Sequence, residues 1–164
     1  MPPFTPEALI ELLATFDIPY RLAEHEAVFT CEAADLIELG LPGAAAKNLL
    51  VCESKGEQPT LVLTRPEQRL DLKRLATILR CRRLRFASPE GLLDRLGVTP
   101  GSVSILSLCN DVGREVRVVI DESLWHSEYL LCHPLVNTQT LSVSIAGIRC
   151  FLQRLGYEPM ILAL

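Results

Sequence analysis

The chain has 164 residues, of which 49% are hydrophobic and 22% charged, so it is long enough to bury a sizeable core and too apolar to remain disordered. Its formal net charge of −4 argues against a protein that binds nucleic acid with its whole surface, because phosphate contacts need clustered Lys and Arg. A local basic surface stays open as an alternative.

Helix and strand signals are mixed in the first half of the chain. A helix is predicted to begin after Thr5, whose hydroxyl can cap it ahead of Pro6. There follow a strand over 18–25, a helix from Thr30 to Gly40, a strand pair over 47–52 and 58–64, a helix over 71–79 and a short helix from Ser88 to Leu96. The helix over 71–79 is amphipathic, with leucines on one side and Lys73, Arg74 and Arg80 on the other.

The second half is richer in strand signals. The sequence predicts strands over 102–108, 115–121 and 139–144, then a helix over 145–155 and an edge strand within 158–164. The strands come in hairpin-like pairs and do not alternate regularly with helices. The prediction is therefore an α+β fold, a single compact domain over residues 1–164 with a mixed, largely antiparallel sheet flanked by helices.

Basic residues are concentrated between Arg65 and Arg85, whereas acidic residues dominate the first forty positions. The residues concerned are Arg69, Lys73, Arg74, Arg80, Arg82, Arg83 and Arg85. Two interpretations remain open: a solvated helix face, or a footprint for an RNA backbone.

Targeting and metal signals are weak. The amino terminus has neither the basic start nor the apolar run of a signal peptide, and no apolar stretch approaches the roughly 18 residues of a membrane span. We therefore expect a cytoplasmic protein without a membrane partner. The six cysteines lie one to a segment with no Cys-x-x-Cys pair, and the three histidines are far apart in sequence. Reduced, mostly buried cysteines and no metal site are predicted.

Polar residues at the ends of predicted strands are the best candidates for chemistry, because serine-nucleophile and phosphate-loop motifs are absent. They comprise Lys47-Asn48, the loop 100–105, Asn110-Asp111 and the turn 133–138. Each has a structural alternative: Lys47 as a surface lysine, Gly101 as a turn residue, and His133 as a capping or core histidine.

Taken together and in this order, these segments resemble the family that includes the editing domain of bacterial prolyl-tRNA synthetases and its free-standing relatives. The matching segments are Ile-Pro-Tyr at 18–20, Glu-His-Glu-Ala-Val-Phe-Thr at 24–30, Ala-Lys-Asn-Leu at 46–49, Leu-Gly-Val-Thr-Pro-Gly-Ser-Val-Ser at 96–104, Asn-Asp at 110–111 and His-Pro-Leu-Val-Asn-Thr at 133–138. The Val-Phe-Thr segment is most similar to the branch that deacylates alanyl-tRNA made wrongly on proline tRNA. The resemblance implies a trans-editing deacylase of Ala-tRNA(Pro) with no metal or other cofactor.

The resemblance also implies site residues. Lys47 would hold the phosphate or ribose of the tRNA 3′ end, the loop at Gly101 would present backbone amides to the ester carbonyl, and His133 would line the amino-acid pocket. The implied catalytic set is Lys47, Gly101, Ser102 and His133. The implied substrate-binding set is Val28, Phe29, Thr30, Asn48, Val103, Ser104, Ile105 and Asn137. Water would attack the ester, with help from the neighbouring ribose hydroxyl.

The chain departs from the family pattern in two places. The loop of the family commonly ends in proline, whereas here Ile105 keeps a backbone N–H and a freer φ. Ala44-Ala45-Ala46 also replaces more polar residues before Lys47. A catalytically weakened module that binds tRNA or a synthetase is therefore an alternative, and a hydrolase of a small metabolite ester or amide is another. The expected partner is the 3′ acceptor end of aminoacyl-tRNA, with a synthetase as a second candidate and DNA excluded.

Overall fold

Two β-sheets organise the computed structural model, which describes residues 2–27, 39–54 and 58–164. The strands are β1 Tyr20–Glu24, β2 Lys47–Glu53, β3 Thr60–Thr64, β4 Leu84–Phe86, β5 Arg117–Asp121, β6 Tyr129–Cys132, β7 Gln139–Ser144 and β8 Met160–Leu162. The first sheet is antiparallel, in the order β1-β7-β6. The second has the order β4-β2-β3-β5-β8, antiparallel around β2 and parallel around β5. The predicted α+β class with mixed, largely antiparallel pairing is confirmed, although the strands form two sheets.

Side chains that the sequence marks as caps begin the helices. The helices are α1 Pro6–Thr15, α2 Leu72–Leu79, α3 Pro89–Leu96, α4 Glu122–Trp125 and α5 Ile145–Leu155. Thr5 accepts a hydrogen bond from the amide of Ala8, and Ser88 does the same for Gly91. These caps satisfy amides that have no partner inside the helix. None of the helices in the three described ranges is long and apolar enough to cross a membrane.

The second sheet is covered on both faces. One face carries Leu50, Leu61 and Ile120 into the main core, together with residues of the first sheet, α1, α3 and α5. The other face carries Val51 and neighbouring strand residues into a smaller cluster with Leu75 and other residues of α2. Because side chains alternate along a strand, the even-numbered residues of β2 face the main core and the odd-numbered ones face α2.

The strand predicted over 102–108 is wrong, because this segment contains a 3₁₀ helix at Ile105–Asn110. Ser104 accepts the amide hydrogen of Leu106 at 3.1 Å, and the amide of Ser104 donates to Ser107 Oγ at 3.0 Å. This reciprocal cap gives the backbone local partners and outweighs the strand preference of the apolar residues. The sequence also missed β4, α4 and β6, which are all short. Most of the helix predicted from Thr30 to Gly40 lies outside the described residues.

Candidate active site

Gly101 forms the corner of the loop that the sequence singles out. The amide of Ser102 donates to the carbonyl of Thr99 at 3.1 Å, and Gly101 has a φ of +89°. Pro100 stands before it, and this order of residues suits a tight turn whose third position needs a positive φ. The turn alone therefore explains the glycine, whether or not the backbone also approaches a substrate.

Ser104 joins this loop to the turn that contains His133. Its side chain is 1% exposed, and its hydroxyl donates to the carbonyl of His133 at 2.6 Å. The same oxygen accepts the amide hydrogen of Leu106. The structure thus brings together the Gly101 loop and the turn of His133, which are two of the three predicted parts of the site. A buried hydrogen bond fixes their relative position.

Two loop amides are available to a ligand. The amides of Ser102 and Ser104 already donate within the loop. The amides of Gly101, Val103 and Ile105 donate to no acceptor in the part of the chain that the structure describes, but Ile105 is completely buried whereas Gly101 and Val103 are partly exposed. A pair of unengaged amides in a structured loop is what stabilisation of an oxyanion requires. The predicted contact of this loop with an ester carbonyl therefore narrows to Gly101 and Val103.

Ile105 occupies the first position of the 3₁₀ helix, and its side chain is completely buried in the main core. The first helical residue has no intrahelical acceptor for its amide, so proline and isoleucine are both accommodated there. The exchange therefore leaves the start of this helix intact. The exposure is 0% for the whole residue, so Ile105 offers no exposed atom to a substrate in this structure.

His133 has a defined tautomer. Its Nδ1 lies 2.9 Å from the carbonyl oxygen of Gln139, so Nδ1 carries the hydrogen, and Nε2 of the neutral ring is an acceptor. Burial lowers the pKa of His133, the hydrogen bond to Gln139 opposes this, and the neighbouring His25 lowers the pKa further. The two rings lie 6.2 Å apart between centroids, with Nε2 of His25 at 2.8 Å from Thr140 Oγ1. His25 is thus a neighbour of His133, and the sequence analysis did not assign it to the site.

The lowered pKa of His133 predicts a pH dependence of stability. The unfolded chain binds a proton near pH 6.5, whereas the folded chain resists protonation until a lower pH. The stability that neutral His133 contributes is therefore complete above about pH 6.5 and is lost as the pH falls through the folded-state pKa. We expect the difference in unfolding free energy between wild type and His133→Gln to shrink over that window in urea titrations. His126→Gln, at an exposed position, supplies the baseline. A difference that stays constant down to pH 5 would contradict the assignment.

Lys47 and Asn48 point to opposite faces of β2. The ammonium of Lys47 donates to the carbonyl of Gln68 at 2.6 Å, in the segment between β3 and α2. Asn48 faces the main core, where Nδ2 donates to the carbonyl of Ala46 at 3.3 Å. Its Oδ1 is buried without a hydrogen-bond partner among the described residues. A buried orphaned acceptor is costly, and it indicates a position where a ligand donor would be stabilising.

A short parallel bridge links the segment before β2, which leads to Lys47, with β6, which leads to His133. Ala44 pairs with Leu130, and each site residue follows its partner in this bridge by three positions. Three extended residues span about 10 Å, so both backbones lie near this junction. No hydrogen bond or ion pair of the described residues joins Lys47 to the Gly101 loop or to His133. A single cleft shared by all three stays a prediction.

The remaining predicted residues divide into three groups. Val28, Phe29 and Thr30 lie outside the described residues, and Asn137 lies in the same turn as His133. Asn110 is structural, because its amide donates to Leu96 O at 2.8 Å and its oxygen accepts from the amide of Phe4 at 2.7 Å. Within ranges 2–27, 39–54 and 58–164, no group of three or more His, Cys, Asp or Glu side chains is arranged to hold a metal ion.

The chain belongs to the aminoacyl-tRNA editing domain family, whose sequence model matches residues 25–151. The prolyl-tRNA editing protein ProX of Acetoanaerobium sticklandii is 35% identical over 138 residues, covering 84% of each chain. The multifunctional Ser/Thr-tRNA deacylase ProXp-y of Escherichia coli K12 is 34% identical over 102 residues, covering 60% of each. The crystal structure of a proposed trans-editing enzyme for prolyl-tRNA synthetase has the same fold, with a TM-score of 0.70, 20% identity, and coverage of 95% of this chain and 92% of that one.

Proposed function

We propose that this protein is a trans-editing aminoacyl-tRNA deacylase that hydrolyses mischarged tRNA(Pro), with Ala-tRNA(Pro) as the preferred substrate. Residues 1–164 act as one editing domain in the cytoplasm, where tRNA is charged. Membership of the editing family and the names of its relatives support the reaction class. The observation that carries the site is the buried bond from Ser104 to His133, which joins the loop with the unengaged amides of Gly101 and Val103 to a neutral histidine.

The reaction is ester hydrolysis by water. Water adds to the carbonyl carbon and gives an intermediate with negative charge on the former carbonyl oxygen. The bond to the ester oxygen then breaks, and the ribose oxygen leaves with a proton that came from the water. Amides of Gly101 and Val103 would donate to that oxygen, and preorganised donors of this kind account for about 3–4 kcal/mol in comparable enzymes. The adjacent ribose hydroxyl of the tRNA would assist, since we assign no side chain as the base.

The substrate is held by three other groups. The Lys47 ammonium pairs with phosphate or ribose at the tRNA 3′ end. The orphaned Oδ1 of Asn48 accepts a hydrogen bond from the terminal adenosine. The Nε2 atom of His133 faces the amino acid as an acceptor. Proline is excluded by shape, because one methylene in an apolar pocket changes binding by only about 1–3 kcal/mol.

The competing function is a catalytically weakened module that binds tRNA or a synthetase. Its main support is Ile105 at the position where the family commonly has proline. Because the 3₁₀ helix begins normally at Ile105 and the amides of Gly101 and Val103 remain unengaged, the structure favours an enzyme. The proposed ligand remains the tRNA 3′ end, and DNA, which lacks an aminoacyl ester, is not a substrate.

Deacylation of charged tRNA(Pro) tests the proposal. Purified protein is incubated with tRNA(Pro) carrying alanine, serine, cysteine or proline, and the remaining ester is followed over time. We expect the alanyl ester to be hydrolysed fastest and the prolyl ester to remain intact. If all four esters decay only at the rate seen without protein, the enzyme proposal is wrong. Faster loss of the seryl or cysteinyl ester would retain the reaction class and overturn the preference for alanine.

A further inference from the structure

The outer side of α2 carries a dense group of positive charges. Leu75, Ala76 and Leu79 face the second sheet, so the opposite side of the helix faces water. We define the α2 basic surface as the exposed basic residues of positions 69–82, which lie on this helix or directly beside it. These are Arg69, Lys73, Arg74, Arg80 and Arg82.

Charge balance sets this surface apart from the rest of the chain. Residues 65–85 contain eight of the sixteen Lys and Arg residues but only two of the twenty Asp and Glu residues. The ion pairs of the described residues are Arg65 with Glu67 and Arg95 with Glu115. The five members of the α2 basic surface therefore have no carboxylate partner within the described part of the chain. Unpaired cations on an acidic protein favour a polyanionic ligand.

The α2 basic surface begins beside Lys47. Lys47 shares its face of β2 with Val51, which packs against α2. The ammonium of Lys47 contacts the carbonyl of Gln68, the residue directly before Arg69. A ligand whose end lies at Lys47 can therefore continue along α2 without crossing an acidic region.

Two helices on the other face of the second sheet carry exposed acidic residues. Helices α1 and α3 pack on the main core, on the other face of the second sheet. Their exposed acidic residues are Glu7, Glu11, Glu90 and Asp94. Phosphates are disfavoured beside these carboxylates, whereas α5, which packs on the same core, exposes only Arg149 and Arg154 as charged residues, so charge favours the side of α2 for a bound nucleic acid.

We propose that the α2 basic surface binds the backbone phosphates of the tRNA acceptor stem while the aminoacylated 3′ end occupies the site. This inference rests on the proposed function, and it gives the protein a second tRNA-binding surface that is separate from the site of the aminoacylated 3′ end. Cations at phosphates release condensed counterions, so binding strength depends steeply on salt and little on base sequence. The surface raises the affinity for whole tRNA and leaves the chemistry of the ester unchanged.

The test combines a triple variant with two substrates. Arg69→Ala, Lys73→Ala and Arg82→Ala are introduced together, because none of these side chains has a hydrogen bond or ion pair among the described residues. We expect the Kd for uncharged tRNA(Pro) to rise about tenfold or more, and the slope of log Kd against log salt to fall by about three. Hydrolysis of an alanyl ester of the trinucleotide CCA should keep its wild-type rate.

Arg21→Ala is the matched control, because Arg21 is exposed on β1 of the first sheet, away from α2. Unchanged tRNA binding by the triple variant, or an equal loss in the control, would overturn the inference. An equal fall in hydrolysis of the trinucleotide ester would also overturn it, because the residues would then act on the chemistry. Weakened tRNA binding in a protein that hydrolyses no ester would sustain this surface and refute the proposed function.

Discussion

Lys47→Ala is expected to lower kcat/KM for deacylation of the preferred aminoacyl-tRNA about 10- to 100-fold. A hydrogen bond to a charged group contributes about 1.5–3 kcal/mol. A loss of 1.36 kcal/mol corresponds to a tenfold fall in rate. Single-turnover deacylation by wild type and variant at equal concentration measures the effect.

Two comparisons separate a role of Lys47 in the site from a structural one. Lys47→Arg keeps the charge but not the compact ammonium, and we expect it to recover part of the activity. The free energy of unfolding of Lys47→Ala in urea should stay within about 1 kcal/mol of the wild-type value. The side chain is only half-buried, and among the described residues it donates a hydrogen bond to one carbonyl. A wild-type rate in Lys47→Ala would remove Lys47 from the site.

Asp111→Ala is expected to lower the free energy of unfolding by about 3 kcal/mol. The carboxylate accepts hydrogen bonds from the amides of Glu115 and Val116 and, at 2.6 Å, from the hydroxyl of Tyr157. Burial, and then the bond to Asp111, raise the pKa of Tyr157, so its hydroxyl stays protonated and needs an acceptor. Removing that acceptor leaves the buried hydroxyl with only the longer contact, at 3.4 Å, to the backbone carbonyl of residue 111, which is more costly than losing an average bond.

Chemical denaturation of a set of variants measures this effect. Tyr157→Phe removes the hydroxyl without leaving an unpaired donor, and we expect a smaller loss of about 1 kcal/mol. Asp94→Ala, at an exposed position of α3, should change stability by no more than about 0.5 kcal/mol. If Asp111→Ala instead unfolds like wild type but abolishes deacylation, Asp111 belongs to the chemistry and the structural assignment is wrong.

The sequence predicts most helices and strands, because interactions between residues close in sequence determine where they begin and end. Thr5 and Ser88 cap helices through their own side chains, and the helix over 145–155 has the predicted bounds. The error over 102–108 has a physical origin, since the Ser104 and Ser107 cap competes with the strand preference of the surrounding apolar residues. An apolar run of this length does not distinguish a buried helix from a strand.

The site depends on contacts between segments that are distant in sequence, and composition and motif spacing do not predict such contacts. The bond from Ser104 to His133 spans 29 residues, and the His25 ring reaches Thr140 across 115 residues. Pairing of β1 with β7 creates the second of these contacts. The contact of Lys47 with Gln68 could not be predicted from the sequence either, because the acceptor is a backbone carbonyl, which every residue has.

A crystal structure of the protein with a CCA trinucleotide carrying alanine through a non-hydrolysable amide would test the central claim most directly. We predict that the alanyl carbonyl oxygen lies about 2.7–3.1 Å from the amide nitrogens of Gly101 and Val103. The Lys47 ammonium should contact a phosphate or the ribose of the same molecule, and Nε2 of His133 should face the alanine. A trinucleotide bound away from the Gly101 loop, or a Lys47 ammonium on a surface that the ligand does not touch, would contradict the account.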